Sequence, residues 1–187
     1  MAYHDRQTLE AMGFAALGAN VKISDKASIY EAHKMVLGDN CRIDDFCVVS
    51  GKLELGRNVY IGPFALIAGG RPGIVFGDFA TLAYRVSVFS QSDDYSGKTM
   101  ANPTVPAAFK QEIEAPVVLG RHAIVGAGST IMPGVTLGEG TAVGAASLVM
   151  QSTDPWTIHA GSPARLLKPR DRGALELEQA YLASEGE

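Results

Sequence analysis

The sequence predicts an all-β fold, a parallel β-helix of three-sided coils, and three observations predict it. The first is a six-residue beat. From Leu37 an apolar residue returns at Ile43, Val49, Leu55, Ile61 and Ile67. After a three-residue slip it returns at Phe76, Leu82 and Val88, and beyond a long gap at Leu119, Val125, Ile131, Leu137, Val143 and Val149. The second is what accompanies the beat. Glycine often follows it, as at Gly38, Gly56, Gly120, Gly126, Gly138 and Gly144, and four residues on the side chain is small, as at Cys41, Cys47, Ala65, Ala80, Ala123 and Ser147. The third is composition: 47% of the chain is hydrophobic but only 7% aromatic, so the core is filled without rings. An amphipathic helix needs apolar spacings of three and four, and each glycine in it costs about 1 kcal/mol. Simple alternation gives a strand but no glycine marking every sixth place. A short strand plus a corner satisfies all three observations, with the glycine helping the chain to turn. Three such units make one coil, and stacked coils align equivalent side chains. An ordinary β-sandwich with accidental spacing is the alternative, and two regular blocks of six units weigh against it.

The elements follow in order. Residues 1–20 read as an N-terminal helical cap, with a short helix over 5–17 showing Leu9, Met12, Phe14, Ala16 and Leu17, and Gly18 as its stop. Such a cap covers the open edge of the first coil. Residues 21–154 read as the β-helix, interrupted by one long inserted loop over 89–117. That loop carries Tyr95, Met100, Asn102 and Pro103 between regular coils, which marks it as functional rather than disordered. Residues 155–187 read as a C-terminal tail with a helix over 174–183, whose Leu175, Leu177, Tyr181 and Leu182 are available for packing. Cys41 and Cys47 occupy the small inward place of successive units and read as core filler.

Composition excludes several classes. Sixteen basic against 20 acidic residues give a net charge of -4, with no electrostatic pull toward nucleic acid. No apolar run approaches the ~20 residues of a membrane span. The N-terminus lacks the basic and apolar regions of a secretory signal, and two cysteines make no disulfide framework, so a cytoplasmic location is expected.

The unit resembles the hexapeptide repeat of left-handed parallel β-helix acyltransferases, and the resemblance spans most of the chain. It is the resemblance that supplies the left hand, against the usual crossover rule. It also implies a homotrimer whose active sites lie between subunits, acetyl-CoA as co-substrate, no metal, and transfer of an acetyl group to a hydroxyl or amine of a sugar or nucleotide-sugar. Such transfer needs a base, donors for the oxyanion and an aligned thioester. In galactoside- and maltose-type acetyltransferases a histidine-proline pair occupies the stretch matching 89–94. Here that stretch ends in Ser92-Asp93-Asp94-Tyr95. With the following Asn102-Pro103, it resembles a subgroup of sugar acetyltransferases found with surface-polysaccharide synthesis. The chain has four histidines, His4, His33, His122 and His159, none in the loop. Asp94 or Asp93 is then the candidate base, if burial or its neighbour raises its pKa. Either residue can equally cap the turn into the loop. His122, turned outward at a coil corner toward a neighbouring subunit, is the competing candidate.

For the coenzyme, two runs of small residues stand out: Gly126-Ala127-Gly128-Ser129 and Gly144-Ala145-Ala146-Ser147. By resemblance to the galactoside-type enzymes, the Ala127 amide faces the thioester carbonyl and Ala145 pairs with pantetheine, with Gly126 and Ala146 leaving room beside them. The end motif Gly161-Ser162-Pro163-Ala164-Arg165, then Lys168 and Arg170, resembles the family's closing signature, and its basic side chains suit the coenzyme's phosphates. Met150-Gln151 departs from the family's Thr-Lys pair. Two other functions are weighed. A γ-type carbonic anhydrase needs three converging histidines, whereas these four are widely separated. A non-catalytic β-helix scaffold would explain the missing loop histidine, but not the retained loop and basic end motif.

Overall fold

The computed structural model describes residues 2–185, so Met1 and residues 186–187 at the ends of the expected cap and tail lie outside the described residues. The chain forms a left-handed parallel β-helix of about seven turns, with two α-helices among the described residues. Its strands are two or three residues long in the regular coils. They visit three parallel sheets in rotation: Met35–Leu37, then Arg42–Ile43, then Val48–Ser50, then Leu53–Leu55 back on the first sheet. Pairing returns 18 residues on, as Leu37 with Leu55, Arg42 with Tyr60 and Val48 with Leu66. The slip seen in the sequence is an enlarged corner at 69–73, after which Leu55 pairs with Phe76. Across the long gap the beat is kept, because Phe76 pairs directly with Leu119. All fifteen beat positions from Leu37 to Val149 are buried, none more than 4% exposed, so the six-residue count locates the core. Cys41 and Cys47 lie fully inside it. Each thiol donates to a carbonyl of the next coil, and burial pushes both up to about 11.

The glycines that follow the beat serve a different purpose from the one the sequence suggested. Most left-handed corner turns fall three residues after the beat, held by non-glycine residues at Asn40, Phe46, Asn58, Phe64, Phe79, Arg85 and His122 and by glycine at Gly128, Gly134 and Gly140. The glycine directly after the beat is demanded by close approach. A Cβ at Gly38 would sit 2.6 Å from the Gly56 carbonyl oxygen, and one at Gly126 would sit 2.5 Å from the Ala145 nitrogen. Left-handed backbone costs roughly 1–2 kcal/mol per residue, and the stacked pairing and burial of each coil offset it.

Helix α1 runs only over Arg6–Ala11, shorter than the expected 5–17. Gly13, with φ +73°, ends it, and Ala16–Leu17 join the first coil by pairing with Val36 and Leu37. Leu9 is 1% exposed in the core, and Arg6 donates to the Gly18 carbonyl at 2.6 Å. Helix α2 covers Ala174–Ser184; of its expected packing residues Leu175 and Leu182 are half-buried and the Tyr181 ring meets Phe79 edge-on at 6.0 Å, but its one buried side chain is polar. Leu177 is 74% exposed, whereas Glu178 is 6% exposed against Arg121 and His122, and the Tyr181 hydroxyl accepts from Asn58 Nδ2 at 3.0 Å.

Candidate active site

The three corners of the coil carry three different chemistries. The corner between the first and second sheets stacks Phe79, His122 and Trp156. Phe79 and His122 are parallel at 5.2 Å, and Trp156 tilts against His122 at 6.2 Å. The His122 ring also shares a 2.6 Å bond, Nε2 to Glu178 Oε2, under α2. Burial alone would raise the Glu178 carboxyl, but its bonds from Arg121 and His122 outweigh this and hold it low. Arg170 closes the same corner, donating to the carbonyls of His122 (3.0 Å) and Gly140 (2.9 Å). Two sequence candidates are therefore corrected in role. His122 does point out at a corner, but it is covered by its own chain, and Arg170 braces backbone carbonyls rather than standing free for a phosphate.

The corner between the second and third sheets changes character along the stack. Its turn residues run Phe46, Phe64, Arg85, then Gly128 and Ala146. Phe46 and Phe64 are half-exposed and stacked at 5.0 Å. Above Arg85 the ridge falls away into a slot, where the small runs predicted from sequence come together coil on coil. Ser129 Oγ donates to the Gly144 carbonyl at 2.9 Å and accepts from the Ser147 amide at 3.1 Å, fixing the two runs against each other. Among the described residues the amides of Ala127 and Ala145 donate to no protein acceptor, while the Ala127 carbonyl accepts from Ala146 at 2.8 Å. Two N–H groups are thus left without a protein acceptor where the turn residues are small, a fit for an extended amide-bearing ligand. Beyond it, Thr157–Gly161 pairs antiparallel with Ala164–Pro169. The hairpin tip bears Pro163 and exposed Arg165 at the slot end, because Gly161 N–H bonds Ser147 Oγ at 3.1 Å. Lys168 pairs with Ile158 at the far end of the strand, and so lies toward the first corner. His159 is half-buried, its ring bonded to Thr157 Oγ1 at 3.1 Å, and burial holds its pKa below 6.5.

The corner between the third and first sheets bears the inserted loop. It is rooted in an antiparallel pair of Gln91–Asp93 with Glu112–Glu114. Asp94 accepts from the Ser96 amide (2.8 Å), the Ser96 hydroxyl (2.7 Å) and Thr99 Oγ1 (3.2 Å). The Ser96 bonds hold its carboxyl below the usual carboxylate range, opposite to the raised pKa the sequence asked for. Asp93 Oδ1 accepts from the Asn102 amide at 3.4 Å. Below the loop, a cleft of about 250 Å³ includes Asp93, Pro103, Lys110 and Glu112, and it adjoins one of about 390 Å³ bounded by Arg71 and Glu114. Arg71 grips Glu114 through two nitrogens, at 3.2 and 2.5 Å. Sequence reasoning missed Arg71 and Glu178. The signal for Arg71 was the three-residue slip, which is the corner that carries it.

The family model for bacterial transferase hexapeptide (six repeats) matches residues 34–69. The chain is 40% identical to the Escherichia coli dTDP-4-amino-4,6-dideoxy-D-glucose acyltransferase, over 98% of this chain and 97% of that one. The chain belongs to the hexapeptide-repeat acyltransferases. Its structure superposes on that of Bacillus cereus AntD, an N-acyltransferase in complex with dTDP and 3-hydroxybutyryl-CoA. The TM-score is 0.97 at 42% identity, covering 99% of this chain and 98% of that one. A variant of the same protein, solved with dTDP-4-amino-4,6-dideoxyglucose and coenzyme A, matches with a TM-score of 0.96 at 43% identity and 98% of each chain. This hexapeptide-repeat protein is an acyltransferase, which sets aside the scaffold and carbonic anhydrase alternatives. No helix among its described residues is long and apolar enough to cross a membrane.

Proposed function

We propose that this acyltransferase moves the acyl group of acetyl-CoA, or a close acyl-CoA, onto the amino group of a nucleotide-linked amino sugar in the cytoplasm. The observation that supports the choice of an amine is the likeness to relatives named for a dTDP-amino-sugar, and the Asp94 carboxylate, engaged by the Ser96 amide and hydroxyl and by Thr99, agrees with it. A carboxylate held well ionised is a weak base, unsuited to stripping a sugar hydroxyl. An amine already presents a lone pair and needs only to be oriented, then relieved of a proton after its nitrogen has bonded. Asp94 supplies that acceptor, with Asp93 beside it. The dTDP-amino-sugar named for the Escherichia coli and Bacillus cereus relatives supports the same acceptor class. Coenzyme A, as acyl thioester, supplies the activated carbonyl. Ala127 and Ala145 offer their amides to its carbonyl and pantetheine, Gly126 and Ala146 give clearance, and Pro163 and Arg165 line the exit toward its phosphates, while Lys168 lies at the other end of the same strand.

The loop and the slot stand on different corners of one chain, so a single copy does not complete the site. We therefore read the working form as a homotrimer, in which the loop of one copy closes the slot of the next. The half-exposed Phe46–Phe64 ridge, on the slot's own corner, supports that contact. In this reading residues 1–20 cap the stack, 21–154 form the coils with the 89–117 insertion, and 155–187 close the far end.

The test incubates the protein with acetyl-CoA and dTDP-4-amino-4,6-dideoxyglucose and follows thiol release, with light scattering for the assembly. Turnover is expected only with the amino sugar, and Asp94→Asn should lower kcat by about 10²-fold or more. Absence of coenzyme binding by calorimetry, equal turnover of the 4-hydroxy sugar, or an active monomer would each overturn its part of the reading.

A further inference from the structure

The corner that bears the slot is aligned coil on coil by a ladder of backbone bonds. The Phe64 amide donates to the Asp45 carbonyl at 3.0 Å, Arg85 to Pro63 at 2.9 Å, Gly128 to Tyr84 at 2.9 Å and Ala146 to Ala127 at 2.8 Å. Strand register agrees, since Leu82 pairs with Val125 and Val125 with Val143. Asp45, Pro63, Tyr84, Ala127 and Ala145 therefore stand in one column, each a coil above the last. The upper two are alanines, whose amides donate to no protein acceptor among the described residues. The next coil down carries Tyr84, the one aromatic ring in the column.

That ring is not taken up by the chain's own packing. Tyr84 is 58% exposed. Among the described residues its hydroxyl makes no hydrogen bond and its ring stacks on no other. Its neighbour Arg85 lies down over Phe64, with the guanidinium 5.6 Å from that ring's centre. The floor beneath Ala127 is thereby left to Tyr84.

The coenzyme seat proposed above runs down this column, with the phosphates by Arg165, the pantetheine by Ala145 and the thioester carbonyl by Ala127. An acyl chain continuing in the same direction arrives at Tyr84. Lengths decide what fits. Neighbouring coils are about 4.8 Å apart. An acetyl methyl reaches about 1.5 Å beyond the carbonyl carbon, while the end of a four-carbon chain reaches about 4 Å. The first stops short of the next coil, and the second meets it.

We propose that Tyr84 sets the acyl specificity of this enzyme: its ring floors the slot, admits acetyl and turns away a four-carbon acyl group. The ring acts by occupying space and takes no part in proton transfer. This rests on the coenzyme seat proposed above.

The test titrates coenzyme A, acetyl-CoA and butyryl-CoA by calorimetry into the full-length protein and its Tyr84→Ala, Tyr84→Phe and Ala145→Val variants. Tyr84 is exposed, and an unchanged melting temperature confirms that its variants fold. The wild type should bind acetyl-CoA at least tenfold tighter than butyryl-CoA. Tyr84→Ala should close that gap by about tenfold, and Tyr84→Phe should keep it, because the ring and not the hydroxyl excludes the longer chain. Coenzyme A itself carries no acyl group, so Tyr84→Ala should bind it as the wild type does, whereas Ala145→Val should bind it more weakly. If the wild type does not bind coenzyme A, or Ala145→Val binds it equally well, the coenzyme seat itself fails. If Ala145→Val weakens coenzyme A but the wild type takes butyryl-CoA as tightly as acetyl-CoA, or Tyr84→Ala leaves the gap unchanged, or Tyr84→Phe closes it as far as Tyr84→Ala, the seat stands and the assignment of Tyr84 is overturned.

Discussion

Gly140→Ala should destabilise this protein severely, and a matched glycine shows why. Gly140 and Gly128 both occupy left-handed corners, with φ of +64° and +70°. Alanine at either site incurs the same backbone cost, roughly 1–2 kcal/mol. Ala146, with φ +54° on the same corner as Gly128, shows that the fold tolerates that cost. The surroundings differ. A Cβ at Gly128 meets nothing within 4 Å, whereas at Gly140 it falls 2.4 Å from Trp156 Cδ2 and 2.5 Å from Cε3. The indole cannot swing aside freely. His122 lies 6.2 Å away on one side, and the Arg170 and Arg172 guanidiniums lie 6.0 and 5.8 Å from its ring. Overpacking of this kind costs about 1–3 kcal/mol more. At about 2–4 °C per kcal/mol for a chain of this size, Gly128→Ala should lower Tm by roughly 2–8 °C and Gly140→Ala by roughly 4–20 °C. Calorimetric melts of both variants measure the difference. Trp156 is the only tryptophan and is 5% exposed, so its emission should shift to the red in Gly140→Ala alone. Equal Tm losses, with no emission change, would refute the assignment of Gly140 to ring clearance.

Ala145→Val places a branched side chain beside an outward amide, and should raise KM for acetyl-CoA about tenfold with Tm nearly unchanged, as checked by steady-state kinetics and a melt. Glu178→Gln should cost about 1–2 kcal/mol, allowing for the 42% exposure of Arg121, and lower Tm by about 2–8 °C. Its sign with pH follows from the depressed carboxyl: the native contribution of Glu178 is complete above the ordinary value of 4.5 and fades as pH falls through the lower folded value. The gap in Tm between wild type and Glu178→Gln should therefore be constant at neutral pH and close below pH 4.5. A gap that widens in acid would contradict the ion pair.

The fold was legible because a solenoid is a local code. Each coil contacts only its neighbours, so a residue eighteen places on is the partner, and counting from Leu37 finds Leu55 without any knowledge of the rest. The same count located the small runs at Gly126 and Gly144, which the structure stacks at one corner. The helices were less legible. Propensity carried α1 through to residue 17, but the strand pairing of Ala16–Leu17 with the second coil prevailed. Apolar spacing suggested that α2 packs by Leu175, Leu177, Tyr181 and Leu182, of which Leu177 is exposed, and no spacing pointed to the buried glutamate between Arg121 and His122.

The beat, the insertion and the small-residue runs were therefore determined by the sequence alone, because each is a matter of spacing along one strand of chain. What the tertiary structure decided is which side chains remain free for chemistry. His122 and Arg170 look available in sequence, yet one lies under α2 and the other braces two carbonyls. Asp94 looks like a base in need of a raised pKa, yet Ser96 holds it low. Tyr84 and Ala127 stand on either side of the inserted loop and look unrelated, until the coil winds them into one column. A side chain's partners come from other coils and from the terminal helices, and no count along the chain reaches them.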